Sequence, residues 1–187
     1  MDEKAQKDVN QLYAEFQAFS PQSDKPDDYY GALVVEQAFK AALEGNAAVG
    51  AALVDDRGNL ALIGRNRMFF PYFRSDLHAE MELLTNYENI FKGDRSLKGY
   101  TLYSSLEPCE MCTIRIINSG VSKVYYVAED KGKGGMTGPN KLAPHWSRLA
   151  AYQEFGLARC SSELSRIALG VFELTINDIV AKLKARR

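Results

Sequence analysis

Apolar and polar positions follow a helical spacing over the first part of the chain. Four apolar residues share one face of a helix predicted over residues 3–19: Val9, Leu12, Tyr13 and Phe16. This pattern predicts an N-terminal helical extension over about residues 1–25. A second helix is expected to begin near Pro26 and to end near Leu43, because Gly45-Asn46 is a typical helix stop.

Short apolar runs bounded by turn residues predict strands after the second helix. The strands are expected at residues 47–54, 60–65, about 100–104 and 123–127. The intervening pattern predicts helices at 77–91, with Asp76 as the N-cap, and at about 109–119, and further helices at 145–156 and 161–185. Alternating strands and helices are typical of a layered α/β fold. We therefore expect a single domain over residues 1–187, with a helical C-terminal segment over about 145–187.

Composition and cysteine usage predict a cytoplasmic protein without a membrane segment. The chain is 46% hydrophobic and 25% charged, which is ordinary for a globular protein. Its first residues lack the basic and apolar regions of a secretory signal, and its longest apolar run, AAVGAALV, is too short to span a bilayer. Three cysteines do not make a disulfide framework, so a reducing compartment is expected.

The charge distribution disfavours a large nucleic-acid partner but does not exclude one. The formal net charge is −1, whereas nucleic-acid-binding domains usually carry a basic face. Residues 131–153 are the exception, because they contain Lys131, Lys133, Lys141 and Arg148 and no acidic residue.

The most informative feature is a pair of short motifs, His78-Ala79-Glu80 and Pro108-Cys109-Glu110-Met111-Cys112. His78, Cys109 and Cys112 provide three nitrogen and sulfur ligands, the number that a catalytic zinc uses when its fourth position stays open for water. Glu80 lies two residues from His78, where a carboxylate can exchange protons with that water without binding the metal.

Two alternatives compete with a catalytic metal site. Cys-x-x-Cys alone is also typical of a redox pair, but that interpretation gives no role to His78 or Glu80. A structural zinc site would need a fourth ligand, and the remaining candidates, Cys160 and His145, lie far downstream of both motifs.

The paired motif resembles the signature of the cytidine and nucleobase deaminase superfamily. The resemblance extends from about Asn46 to about Asp130 and is carried by AVGAALV, GRNR, HAE, SSLEPCEMC and INSGVSKVYYVAED. The chain looks most like the branch that contains tRNA adenosine, guanine and cytosine deaminases. The resemblance implies a Zn2+ cofactor and a three-layer α/β/α fold with a mixed sheet of about five strands. It also implies a homodimer, whose interface we expect beside the two helices that carry the metal ligands.

The same resemblance implies three substrate contacts. Asn66 matches an asparagine that hydrogen-bonds the base or sugar, although a turn role is the alternative. The backbone carbonyl of Glu107 matches the group that receives the substrate amine. Ala51, with Val49 and Gly50, matches the floor beneath the base, and core packing is almost equally expected there.

The expected reaction replaces an exocyclic amine of a nitrogen heterocycle by oxygen from water, with Glu80 as the proton carrier. A carboxylate in this role should have a raised pKa through burial. We expect a small-molecule substrate, a free nucleobase or nucleoside, with a guanine-type purine ahead of cytosine-type rings. A tRNA adenosine deaminase, a deoxycytidylate or cytidine deaminase, and a zinc-binding protein without turnover remain alternatives. The aromatic segment 69–73 is expected in the core or an interface, with a base-stacking lid as the alternative.

Overall fold

A computed structural model describes residues 1–92, 96–130 and 142–187 of the chain. The helices are α1 (Glu3–Ala18), α2 (Asp28–Leu43), α3 (Ala79–Phe91), α4 (Glu110–Ser119), α5 (Pro144–Ala150) and α6 (Ser162–Lys184). The strands are β1 (Gly50–Val54), β2 (Leu60–Arg65), β3 (Thr101–Ser104), β4 (Lys123–Tyr126) and β5 (Glu154–Leu157).

The five strands form one mixed sheet in the order β2-β1-β3-β4-β5. Strand β1 is antiparallel to both of its neighbours, while β3, β4 and β5 are parallel. Because β1 separates them, β2 and β3 run in the same direction, and their carboxyl ends meet beside the start of β1. Helices α3 and α4 follow these two strands, so both begin at the same edge of the sheet.

Helices cover both faces of the sheet, which confirms the expected three-layer α/β/α fold. Side chains alternate along β1. Ala51 and Leu53 belong to the hydrophobic cluster of α3 and α4. Ala52 and Val54 belong to the opposite cluster, which is built with α1, α2 and α6. Helices α3 and α4, which begin at the predicted metal ligands, therefore lie on one side of the sheet, and the C-terminal helix α6 lies on the other.

Two glycines fix the connection between α2 and the sheet. Gly45 ends α2 with a φ of +81°, as the predicted helix stop requires. A Cβ atom on Gly50 would lie 2.1 Å from the carbonyl oxygen of Val34 in α2. Only glycine therefore allows the start of β1 to pack this closely against the helix.

Two local predictions are wrong. Residues 154–156, expected to end a helix over 145–156, belong to β5, which pairs in parallel with β4. Helix α3 begins at Ala79 with His78 at its N-cap, so Asp76 does not cap it. The Asp76 carboxylate instead accepts hydrogen bonds from Arg74, whose guanidinium lies close in the preceding loop.

Within the three described ranges, no helix is long and apolar enough to cross a membrane. The basic stretch at residues 131–153 lies partly outside the described ranges, because residues 131–141 are not described.

Candidate active site and metal centre

The two sequence motifs converge because each places a ligand at the N-cap of a helix. His78 is the N-cap of α3 and Cys109 the N-cap of α4, and neither side chain hydrogen-bonds its own helix end. Both side chains are therefore available for other partners. Cys112 lies three residues after Cys109, on the same side of the first turn of α4. The start of a helix carries partial positive charge, which stabilises a thiolate.

The three donor atoms form a compact group. Nδ1 of His78 lies 3.5 Å from Sγ of Cys109 and 3.6 Å from Sγ of Cys112. The three ligand atoms all lie within 4.8 Å of one another. One imidazole and two thiols at this separation match the ligand preference of zinc, and three protein ligands are characteristic of catalytic zinc. The residues thus fit a Zn2+ ion.

The alternative of a fourth cysteine ligand is not supported by the position of Cys160. Its Sγ packs against α2, so close that a Cβ on Gly31 would approach it to 2.7 Å. Burial, with the nearby Asp28 and Asp27 carboxylates, raises the pKa of this thiol to about 12. Cys160 is therefore a partly buried thiol on the opposite side of the sheet from α4.

The pKa values of the two thiols and the imidazole are shifted in different directions. A hydrogen bond from Cys112, together with His78, lowers the pKa of Cys109 to about 4 despite its burial. The pKa of Cys112 is raised, because its proton bonds to Cys109 and the group is buried. Burial opposes a charge on His78, but the Cys109 thiolate and Glu80 outweigh it and raise the pKa of the imidazole. The three groups thus interact directly with one another.

Glu80 lies in the first turn of α3 with only 3% of its surface exposed. Its Oε1 accepts a hydrogen bond from the Ser104 hydroxyl over 3.2 Å. Burial, and then the negative Cys109, raise the pKa of the carboxyl group, as the sequence led us to expect. A carboxyl with a raised pKa is suited to accepting and releasing a proton near neutral pH.

A cavity of about 470 Å³ opens onto the metal ligands and Glu80. Asn66 and Glu107 line it, as expected for substrate contacts. Ala51 does not line it, since its side chain is fully buried against α3 and α4, whereas Val49 does. Ala51 therefore lies in the core, and a contact between Ala51 and a substrate stays a prediction.

Asn66 and Glu107 are both held by the backbone around the cavity. Oδ1 of Asn66 accepts a hydrogen bond from the Met68 amide over 3.0 Å. The Glu107 amide donates to the carbonyl oxygen of Ala128 over 2.8 Å, and its carboxylate accepts from the Asp130 amide over 3.3 Å. The Glu107 side chain thus accepts a hydrogen bond from the backbone, and the role of its carbonyl oxygen stays a prediction.

Helix α6 supplies much of the cavity wall, although the sequence does not show which of its residues line the cavity. Its lining residues are Phe172, Ile176, Asn177, Ile179, Val180 and Leu183. Their spacing of three and four residues is the signal that a cavity-facing helix would give, but the same spacing predicts ordinary core packing. Only the sheet topology distinguishes the two.

The aromatic segment 69–73 does not line the cavity. Its backbone is held by Asn46, whose Oδ1 accepts hydrogen bonds from the amides of Phe69 and Phe70. Arg186, after the end of α6, stacks on the Phe73 ring at 3.7 Å from its centroid. The segment therefore packs against the C-terminal end of the chain. Its position outside the cavity does not support a base-stacking lid.

The fold and the donor group together define a zinc-binding hydrolytic deaminase. A family model described as the cytidine and deoxycytidylate deaminase zinc-binding region matches residues 24–128. The chain belongs to this family.

Curated relatives include two tRNA-specific adenosine deaminases. The Bacillus subtilis protein is 36% identical over 113 residues, which are 60% of this chain and 67% of the relative. The Haemophilus influenzae protein is 36% identical over 104 residues, 54% of this chain and 58% of the relative. The chain therefore spans about three fifths to two thirds of these relatives.

Two solved structures share the fold. One comes from a study of A-to-I editing by tRNA:A34 deaminases at the wobble position, with 25% identity, a TM-score of 0.55, and 68% of this chain and 96% of that chain covered. The other is a guanine deaminase from Nitrosomonas europaea, with 19% identity, a TM-score of 0.62 and 94% of both chains covered. At that identity, the second likeness concerns the fold alone.

Proposed function

We propose that this protein hydrolytically deaminates a free nucleobase or nucleoside, with a guanine-type purine slightly ahead of other rings. The observation that carries this proposal is the position of α6. Its apolar residues, including Phe172 and Ile179, wall the cavity that contains Glu80. A largely apolar cavity with a buried catalytic end limits the access of bulk water to Glu80 and suits a small flat ring better than a polymer.

His78, Cys109 and Cys112 would hold the zinc ion. When bound, zinc with three protein ligands lowers the pKa of a coordinated water to about 7. Glu80 takes a proton during addition of water to the amine-bearing carbon and returns it to the departing nitrogen. The net reaction consumes one water, breaks the carbon–nitrogen bond, leaves oxygen on the ring and releases ammonia.

The remaining contacts orient the ring. Oδ1 of Asn66 is occupied by the Met68 amide, so its Nδ2 is the group left to donate to a substrate acceptor. The carbonyl oxygen of Glu107 is assigned to the substrate amine. Ala51, with Val49 and Gly50, is proposed as the floor beneath the ring. Val49 lines the cavity, and Ala51 packs in the core beside it.

A tRNA adenosine deaminase is the second candidate, and the curated relatives favour it. In that case an adenosine would be flipped out of an RNA loop into the same cavity. The net charge of −1 disfavours this candidate, because RNA binding depends on basic side chains that neutralise phosphates.

Ammonia release from the zinc-loaded protein separates the two candidates. The panel contains guanine, adenine and cytosine, their nucleosides and nucleotides, and a tRNA anticodon stem-loop. Turnover of a free base or nucleoside is expected. Turnover of the RNA alone, weakening as salt rises, would overturn the proposal and favour tRNA editing.

We also propose a homodimer that forms beside the metal helices. Ile90 at the end of α3 is 59% exposed, and Met111 in the first turn of α4 is 37% exposed. Arg115 of α4 pairs with Glu88 of α3 over 2.6 Å, which makes the two helices one continuous surface. A second copy of the chain would cover both apolar side chains.

A further inference from the structure

Helix α6 presents one polar side chain among its cavity-lining residues. Phe172, Ile176, Ile179, Val180 and Leu183 are apolar, and Asn177 is the exception. Asparagine favours a helix interior less than leucine does, and an amide contributes less to an apolar wall than a methyl group does. Solvation accommodates an asparagine at this exposed position, and among the α6 residues that line the cavity it is the one whose side chain can hydrogen-bond a ligand.

The Asn177 amide has no partner within the described residues. It is exposed, and it makes no hydrogen bond or ion pair with them. Asn66, the other asparagine of the cavity, instead has its Oδ1 bonded to the Met68 amide. Asn177 thus keeps both a donor and an acceptor available to a ligand.

The cavity extends from a buried end to an exposed end. Glu80, at the buried end, is 3% exposed. Asn177 is exposed, and Val180, three residues later on the same side of α6, is 39% exposed. The amine-bearing carbon has to approach the buried Glu80, so we place a substituent on the far side of the ring toward the exposed lining residues, which include Asn177.

We infer that Asn177 hydrogen-bonds a sugar hydroxyl and so makes this site selective for nucleosides over free bases. A primary amide can donate to a hydroxyl and accept from it, whereas a bare ring that reaches Glu80 offers no group at the mouth. The inference rests on the proposed function and narrows its substrate from a base or nucleoside to a nucleoside.

The test measures binding by titration calorimetry in zinc-loaded Glu80→Ala protein, which prevents turnover. Three pairs are compared: guanosine with guanine, adenosine with adenine, and cytidine with cytosine. Asn177→Leu preserves size and removes the amide. Lys184→Leu is the matched control, because it places the same side chain on an exposed turn of α6 that does not line the cavity.

Asn177→Leu should weaken binding of the best nucleoside by roughly 5- to 10-fold, the value of one hydrogen bond, and change the Kd of its free base less than about twofold. Lys184→Leu should change neither Kd. Equal weakening of both ligands, no weakening of the nucleoside, or no nucleoside binding at all would overturn the inference. The proposed function would still stand if the unmodified protein released ammonia from a free base, and it fails separately if no base or nucleoside is deaminated.

Discussion

The Ser104 hydroxyl, fully buried at the end of β3, donates a hydrogen bond to Oε1 of Glu80 over 3.2 Å. This contact joins the sheet to the first turn of α3. It fixes one carboxylate oxygen of Glu80, a residue that lines the cavity. Ser104 is therefore a positioning residue for Glu80, and nothing in the paired motif points to it.

Ser104→Ala should lower kcat by about 10-fold, because a misplaced carboxylate loses part of the rate that a general acid–base group provides. KM and zinc content should change little. Ser105→Ala is the matched control. Its hydroxyl accepts a hydrogen bond from the Gly50 amide over 3.0 Å, so its loss should lower stability and spare kcat. Equal kcat for Ser104→Ala and the unmodified enzyme would contradict the positioning role.

Zinc content should follow the three predicted ligands. Elemental analysis should find about one zinc per chain in the unmodified protein, and most of it should be lost in Cys109→Ala, since two protein ligands bind zinc weakly. Cys160→Ala provides the control, because this thiol packs against α2. Full zinc retention in Cys109→Ala, or loss of zinc in Cys160→Ala, would refute the ligand assignment.

The ion pair between Glu44 and Arg65 should contribute stability that depends on pH. Nε and Nη2 of Arg65 donate to the two carboxylate oxygens over 3.0 and 2.6 Å. The Arg65 hydrogen bond lowers the pKa of Glu44. The stabilisation is therefore complete above the ordinary glutamate pKa of about 4.3 and is lost as the pH falls through the lowered folded value.

Arg65→Met should reduce the free energy of unfolding at pH 7 by about 1 kcal/mol, and the difference from the unmodified protein should shrink in urea melts at pH 3. Lys40→Met breaks the exposed pair of Lys40 with Glu36 and should cost about 0.3–0.5 kcal/mol. A deficit that stays constant between pH 7 and pH 3 would show that lost packing, and not the ion pair, causes the effect.

The proposed dimer predicts a mass of two chains by light scattering at micromolar protein. Met111→Arg should shift the mass toward one chain, because a charge would be buried at the interface. Val180→Arg places the same charge on exposed α6 and should leave the mass unchanged. A monomeric mass for the unmodified protein would contradict the proposal.

The sequence predicted the metal end of the fold well because its signals there are local. Turn residues flank β2, and a short apolar run predicts β3. The Cys-x-x-Cys spacing itself fits one helical turn. These features place His78 and Cys109 at neighbouring helix starts without knowledge of distant contacts.

The missed features depend on contacts between distant segments. Strand β5 is four residues long and has no clear alternation, and its pairing with β4 determines its conformation. Which residues of α6 line the cavity likewise depends on how this helix, which begins 50 residues after Cys112, packs against the sheet. Apolar periodicity in α6 predicts burial but does not identify which surface is covered.

Glu80→Gln is the most direct test of Glu80 as the proton carrier, because it keeps the size of the side chain and removes only its ability to carry a proton. Zinc-loaded variant and unmodified protein are compared for ammonia release from the best substrate, with zinc content and melting temperature measured in parallel. We expect an unchanged fold, about one zinc per chain, and a loss in kcat of at least ~10²–10⁴. Ammonia release at the unmodified rate by the zinc-loaded variant would contradict this role of Glu80.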